Sequence, residues 1–523
     1  MTTTHPILSA GSWVESTARE TFQAVNPTTG QTLPDAFPVS GWDDLEPMAE
    51  AADAAFVTCR DWPGERFAAF LEAAADRVDA AADAIATAAQ DETGLGYEPR
   101  LRVGEMGRTV GQLRQAATAA RTSSWRLPTI DTAAGVRSMH VSLGPVLVIG
   151  PNNFPLAFNA ISGGDFCAAI AAGCPVIAKA HPSHPLTSKL IAEQMHAAAE
   201  ATDMPPGFVQ MFYHCTPETG TKLIQHPAIE SVAFTGSRAA GMKIKATADA
   251  CGKPAYLEMA SLNPVVILSE AAKSRGEAIA EQFAGSCLMG GGQFCTNPGL
   301  VLLPPGADAL VESLVARFNA APCPTMLSPG TKEHYESSLK VLADTGAEQI
   351  AQAAADDSER ISVRPTLMAV DAATFLEHTA LLQTEVFGPS SLLVRTNDTE
   401  QMAEVLSHME GQLTGCLYAD QADAAAYATI EPALRRKVGR LLNDQMPTGV
   451  AVSAAMNHGG PYPATGHPGF TAVGLPASAR RFSMLASYDN VSGDRLPPEL
   501  RDANPGGIWR CVDGDWTTGD VAG

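Results

Sequence analysis

Cations are scarce in this 523-residue chain: 35 lysines and arginines stand against 57 aspartates and glutamates, a formal charge of −22. Such a field repels phosphate backbones and anionic bilayers, which argues against nucleic acid or a membrane as partner. The ten cysteines include no CxxC pair and no close set with histidines. Neither a structural zinc site nor a disulfide framework is predicted, and no metal is expected. No apolar run reaches the ~20 residues that span a bilayer. The opening MTTTHPILSAGSW lacks the basic-then-apolar order of a secretory leader. With free thiols, these absences point to a reducing cytoplasm. There is also no internal repeat and no low-complexity linker.

What is present is globular. The hydrophobic share of 45% and charged share of 18% are ordinary, and the length calls for two or three domains. Residues 42–122 are alanine-rich with interspersed charges, which predicts successive amphipathic helices. The period then changes. Short apolar runs at 145–150, 175–179, 208–212 and 231–234 read as buried strands, separated by helices at 156–173, 185–202 and 218–226. This alternation implies βαβ units and a parallel sheet, with ligand sites at the carboxyl ends of its strands. The loops after Gly150, Lys179 and Phe234 are therefore the places to look. A second series begins after Ala255, with runs at 256–258, 264–268 and 298–303 and a helix at 275–287, and reads as another α/β domain. Residues 137–141 suit half a hairpin, and the tail after Pro476 suits an arm making subunit contacts.

Five segments hold residues suited to chemistry. In Gly290-Gly-Gly-Gln-Phe-Cys295-Thr-Asn-Pro-Gly299 a cysteine sits on a glycine-flanked bend, where backbone N–H groups can face a ligand beside the sulfur. Leu257-Glu258-Met-Ala-Ser-Leu-Asn263-Pro264 carries a glutamate in an apolar stretch, where burial raises a carboxyl pKa towards that of a general base. Gly150-Pro-Asn152-Asn153-Phe154-Pro155 offers a side-chain amide for an oxyanion. Phe234-Thr235-Gly236-Ser237 is a strand end entering a helix, suited to a phosphate. Glu385-Val386-Phe387-Gly388-Pro389 places a carboxylate beside an aromatic and a turn. Read singly, each has an ordinary alternative: a buried thiol, a glutamate paired with a cation, an Asn turn, a plain loop.

Taken together and in this order, the five segments resemble the motif set of the aldehyde dehydrogenase superfamily, from about residue 8 to residue 480. Further segments resemble the branch of 2-oxoglutaric semialdehyde (2,5-dioxopentanoate) dehydrogenases and NADP-preferring fatty aldehyde dehydrogenases. These are Lys179-Ala-His-Pro-Ser-His-Pro185, Glu258-Met-Ala-Ser, His458-Gly-Gly-Pro-Tyr-Pro-Ala-Thr465 and Leu496-Pro-Pro-Glu-Leu-Arg-Asp-Ala-Asn-Pro505. The resemblance implies a Rossmann-like parallel-sheet cofactor domain at 1–127 and 144–257. It implies a second α/β, catalytic domain at 258–455 and an oligomerisation arm at 128–143 and 476–523, in a homodimer or dimer of dimers. It implies oxidation of a small-molecule aldehyde through a thioester on Cys295, with Glu258 as base and Asn153 plus the Cys295 N–H as oxyanion hole. For the cofactor it implies Lys179 on the adenosine ribose, Gly236 and Ser237 near the pyrophosphate, and Glu385 with neighbouring Phe387 at the nicotinamide ribose.

Many NAD-preferring relatives carry a glutamate three residues after the strand-end lysine. Here that position is Pro182, and Lys179, His181 and Ser183 stand close by. With no carboxylate to repel a 2′-phosphate, NADP is favoured over NAD. Two departures stand out. Ala260 and Ser261 replace the two glycines that most relatives have after the base. The 466–470 stretch lacks the arginine that relatives acting on oxo-acid semialdehydes often have, leaving His467 as a candidate carboxylate contact when protonated. The substrate expectation is an oxo-acid semialdehyde, with an aliphatic aldehyde as alternative. Less favoured are an acylating relative, which would lack the glutamate, and a catalytically silent binding protein.

Overall fold

The computed structural model describes residues 4–356 and 359–521, so the parts of the predicted segments at 1–3, 357–358 and 522–523 lie outside the described residues. Strands Val146–Ile149, Val176–Lys179, Val209–Phe212, Ser231–Thr235 and Ala255–Glu258 run parallel in one sheet. Their spatial order is Ala255–Glu258, Ser231–Thr235, Val146–Ile149, Val176–Lys179, Val209–Phe212, and the hairpin Ile7–Ser9/Ser12–Val14 closes the edge. The order reverses between Ser231–Thr235 and Val146–Ile149. Connections leave on opposite sides there, so a crevice opens at the carboxyl ends of these two strands. The strands are continuous apolar runs because both faces are covered. Helices Trp42–Cys59, Gly64–Ala80, Ala82–Thr93 and Met106–Thr122 share one core with this sheet.

Two elements differ from their sequence reading. Ala255–Glu258 pairs with Ser231–Thr235 in register Thr235↔Glu258, so it completes the first sheet instead of opening the second series. A short apolar run suits either sheet, and pairing alone decides. The helix predicted at 156–173 is confined to Gly164–Ala172. Upstream, Asn159 Nδ2 donates to the Pro155 carbonyl at 2.8 Å and Ser162 Oγ to the Leu156 carbonyl at 3.0 Å. These side chains take carbonyls that helical amides would have used, and turns result.

The second sheet has the order Glu348–Gln352, Thr366–Asp371, Ser390–Arg395, Leu300–Leu303, Val265–Ile267, Gln412–Tyr418, Val438–Asn443, parallel except at its first strand. Alternation sorts its side chains between two cores. Val265, Ile267, Val301, Leu303 and Leu393 pack under helices Ser269–Leu288 and Asp308–Asn319. Val266, Leu300, Leu302, Leu392 and Val394 pack under Thr399–His408 and Ala424–Arg435. A third sheet joins Ser483–Asp489, Val136–Ser142, Thr129–Asp131, Arg510–Val512 and Asp515–Thr517, so the hairpin at 129–142 is extended on both sides by the tail. Among the described residues no helix is long and apolar enough to cross a membrane.

Candidate active site

The crevice at the reversed strand order continues into a cleft of about 470 Å³. Its walls include Asn153, Lys179, His181, Gly236, Ser237, Glu258, Cys295, Glu385 and Phe387. Of the ten residues assigned to catalysis or cofactor binding from the sequence, only Ser183 is absent from this lining. Its backbone N–H donates to His181 Nδ1 at 3.1 Å, so Ser183 shapes the loop without facing the cleft.

The cysteine loop is built by close backbone approach. Gly290, Gly291 and Gly292 all have positive φ, and at Gly292 a Cβ would stand 2.2 Å from the Gly388 carbonyl oxygen. Only glycine fits there, and this contact draws the 385–389 segment against the loop of Cys295. From the other side, Asn263 Nδ2 donates to the carbonyls of Cys295 and Asn297, each at 2.9 Å. Ser261 Oγ lies 2.9 Å from Asn263 Oδ1 and accepts the Leu413 N–H at 2.9 Å. The serine found where most relatives have glycine thus helps hold the asparagine that holds the cysteine loop.

At the centre, Cys295 Sγ lies 3.3 Å from His458 Nε2, and the same nitrogen lies 3.0 Å from Glu258 Oε1. Glu258 and His458 are each only 2% exposed. One imidazole proton cannot serve both neighbours, so sulfur, imidazole and carboxylate share a proton position. Burial pushes the Cys295 thiol well above its ordinary pKa; the nearby Glu258 carboxylate adds to this, and the Arg108 guanidinium opposes it. The thiol is therefore protonated at rest and needs an acceptor to become a nucleophile. The same three ligand atoms lie within 4.8 Å of one another, a spacing that a thiophilic cation would also accept.

Asn153 Nδ2 donates to the Gln293 carbonyl at 3.1 Å, two residues before the cysteine. The Asn153 carbonyl accepts from Arg100 Nη2 at 2.9 Å, and Arg100 is ion-paired with buried Glu105 at 2.9 Å. Glu105 in turn accepts the N–H groups of Leu156 and Ala157. The loop after Ile149 is thereby pinned from the helical layer beneath it. His184 Nε2 lies 3.0 Å from the Pro151 carbonyl, a second tether on the same loop.

The remaining wall suits a dinucleotide. Helix Arg238–Ala250 begins at the cleft, capped by Ser237 Oγ accepting the Ala240 N–H at 3.4 Å, and its free first-turn amides favour an anion. At Gly236 a Cβ would meet the Phe234 ring at 2.6 Å. Glu385 Oε1 accepts the Ser261 N–H at 3.2 Å, and burial pushes this carboxyl up to about 7. Burial, with His184 and Lys179 adding to it, holds His181 well below its ordinary pKa, so its imidazole is neutral. His467 is exposed, packs edge-on against Tyr256 at 5.0 Å and is not part of the cleft lining.

Three contributors escaped the sequence reading. His458 stood in a quoted segment without a role. Asn263 stood beside the base without one. Arg108 stood in helices read as purely structural, although Glu105, Arg108, Thr109 and Gln112 recur at helical spacing on a stretch that otherwise buries alanine and leucine.

Residues 13–460 match the model of the aldehyde dehydrogenase family. The chain is 42% identical to alpha-ketoglutaric semialdehyde dehydrogenase 2 of Azospirillum brasilense, covering 94% of this chain and 96% of that protein. It is 36% identical to alpha-ketoglutaric semialdehyde dehydrogenase of Acinetobacter baylyi, covering 94% and 95%. Among solved structures, 1-pyrroline-5-carboxylate dehydrogenase of Thermus thermophilus (R100A mutant) superposes with a TM-score of 0.80 at 23% identity, over 93% of this chain and 92% of that one. With the family model spanning most of its length and the reactive cysteine, glutamate and asparagine converging on one cleft, this chain belongs to the aldehyde dehydrogenase family.

Proposed function

We propose that the protein oxidises 2-oxoglutaric semialdehyde, or a short aldehyde of that oxo-acid class, to its carboxylic acid with NAD(P)+. The observation that carries this reading is the identity of 42% and 36%, over nearly the whole chain, to two relatives named for that substrate. The convergence of Cys295, His458 and Glu258 supports the route. The Cys295 proton passes to His458, whose imidazolium is held by Glu258, and the thiolate adds to the aldehyde carbon. Asn153 and the Cys295 N–H stabilise the resulting alkoxide. The hydride that this carbon then gives up would pass to a nicotinamide held in the cleft. The thioester left on Cys295 is hydrolysed by a water that Glu258 deprotonates, breaking the C–S bond and restoring the thiol. Lys179, His181, Gly236, Ser237, Glu385 and Phe387 would hold the cofactor, with the first sheet as its domain and the second as the catalytic domain. The third sheet would serve as an oligomerisation arm: its edge strand Ser483–Asp489 exposes Met484 and Leu485.

Pro182 on the cleft wall supports NADP, since no carboxylate opposes a 2′-phosphate. Because His181 is neutral, that preference rests on Lys179 and the helix N-terminus. A panel of aldehydes with and without a distal carboxylate, assayed with both cofactors and without added thiol or phosphate, tests these points. The expected result is free acid as product, highest kcat/KM for the carboxylated aldehydes, and NADP used at least as well as NAD. Strong preference for NAD would sink the cofactor assignment, and a requirement for coenzyme A or phosphate would make the protein an acylating relative. An aliphatic-aldehyde reading is favoured by one observation, the ring cluster of Phe154, Phe158 and Phe294 near the cysteine. The same panel decides it.

His458→Phe keeps the ring volume and removes the nitrogen facing the sulfur. Alkylation of Cys295 by iodoacetamide at neutral pH, located by mass spectrometry, is expected to slow about 100-fold, the scale of a lost general base. Unchanged alkylation would leave proton removal to Glu258 alone.

A further inference from the structure

The three groups that meet at the centre of the site are also a donor set for a metal ion. Cys295 offers a sulfur, His458 an imidazole nitrogen and Glu258 a carboxylate oxygen, all within 4.8 Å of one another. Among the described residues no other three such groups converge in this way. A tetrahedral zinc ion, with bonds of about 2.0–2.3 Å, sets its ligand atoms roughly 3.3–3.6 Å apart. Here Sγ lies 3.3 Å from Nε2, and Nε2 lies 3.0 Å from Oε1. Slight opening of these two separations admits the ion.

A second observation points the same way. Glu258 Oε2 is shut off from solvent and has no hydrogen-bond partner, so this carboxylate keeps an acceptor that no donor of the protein answers. Glu258 and His458 are almost fully buried, whereas Cys295 is half-buried and lines the cleft together with Glu258. An ion entering past the sulfur therefore meets two donors already fixed behind it. His458 is held through its backbone, its N–H donating to Thr471 Oγ1 at 3.0 Å, and its ring packs 6.0 Å from that of Phe158. Charge also balances. Thiolate and carboxylate together carry two negative charges, which a buried site tolerates badly and a dication cancels. Sulfur and imidazole favour zinc over magnesium, which takes oxygen ligands.

We propose that Cys295, His458 and Glu258 form an inhibitory zinc site, in which the ion holds the nucleophilic sulfur and reversibly halts aldehyde oxidation. Binding forms Zn–S, Zn–N and Zn–O bonds and releases the thiol proton to solvent, with no electron transferred. A water from the cleft would complete the four-coordinate shell. The sulfur cannot serve zinc and the aldehyde carbon at once, so metal and substrate compete. The inhibitory consequence rests on the thioester reading above, whereas the binding site rests on the geometry of the three donors.

The test titrates the untagged enzyme with cobalt(II), a spectroscopically visible substitute for zinc, and separately with zinc chloride. One cobalt per chain is expected, with the intense d–d bands of a tetrahedral site and a thiolate-to-cobalt charge-transfer band, and zinc should displace it. His458→Phe and Glu258→Gln should each weaken zinc binding, measured calorimetrically, by about 100-fold, the upper end of what loss of even an outer-shell group causes. Cys295→Ser should remove the charge-transfer band. The exposed Cys251 and half-buried Cys511 supply the control, since replacing both by serine should leave zinc affinity as in wild type. Turnover by wild type should fall in step with zinc occupancy, return on adding EDTA, and be unaffected by magnesium at the same concentration. Absence of the charge-transfer band in wild type would overturn the proposal. So would unchanged affinity in the His458 and Glu258 variants, because capture by a thiol alone needs neither. Zinc bound through all three residues with turnover unimpaired would count instead against the thioester reading.

Discussion

Replacing Cys295 by alanine abolishes aldehyde-dependent formation of reduced cofactor while cofactor binding survives. The reason is chemical. An aldehyde hydrogen departs as hydride only from a tetrahedral alkoxide, and among the side chains converging here only the sulfur of Cys295 is a nucleophile able to form that adduct and then leave from it. The remaining parts stay in place, because Asn263 grips the Cys295 loop through backbone carbonyls and makes no use of the thiol. Binding can be followed by calorimetry with NADP, and turnover by absorbance of the reduced nicotinamide. Steady turnover in the alanine variant would end the thioester assignment.

Glu258→Gln separates the two halves of the reaction. The amide preserves shape and can still hydrogen-bond His458, but it cannot take a proton from water. In the wild-type chain one oxygen of Glu258 faces His458, while Oε2 is buried and has no hydrogen-bond partner, leaving a lone pair for the hydrolytic step. A rapid burst of reduced cofactor, stoichiometric with active sites, should be followed by a steady rate reduced by about 10²- to 10⁴-fold. Rapid mixing reads the burst, and mass spectrometry should find the acylated Cys295 peptide. Loss of the burst together with the steady rate would move the role of Glu258 to activating the thiol.

The legible part of the fold was the part written in local pattern. Apolar runs of four or five residues separated by helices announced a parallel sheet, and Pro185 at the first position of its helix marked a start that the structure repeats at Pro185–Ala201. The strand Ala255–Glu258 was assigned to the wrong sheet because a buried run carries no record of its neighbour. Within the site, glycines around Cys295 were readable because their close approach to Gly388 admits no side chain. His458 was not. It lies 163 residues from Cys295 along the chain, and nothing local distinguishes its imidazole from one that merely fills a turn.

Sequence alone was enough to place the reactive residue types, the βαβ order and the likeness to one enzyme family, because each resides in short-range pattern and motif spacing. Tertiary structure decided the rest: that His458 stands between sulfur and carboxylate, that Ser183 and His467 are outside the cleft lining, and that Arg108 Nε and Nη2 are buried without a hydrogen-bond acceptor. Those facts depend on distances between segments far apart in the chain. Such distances are set by packing two sheets and their helices against one another, which no local window contains.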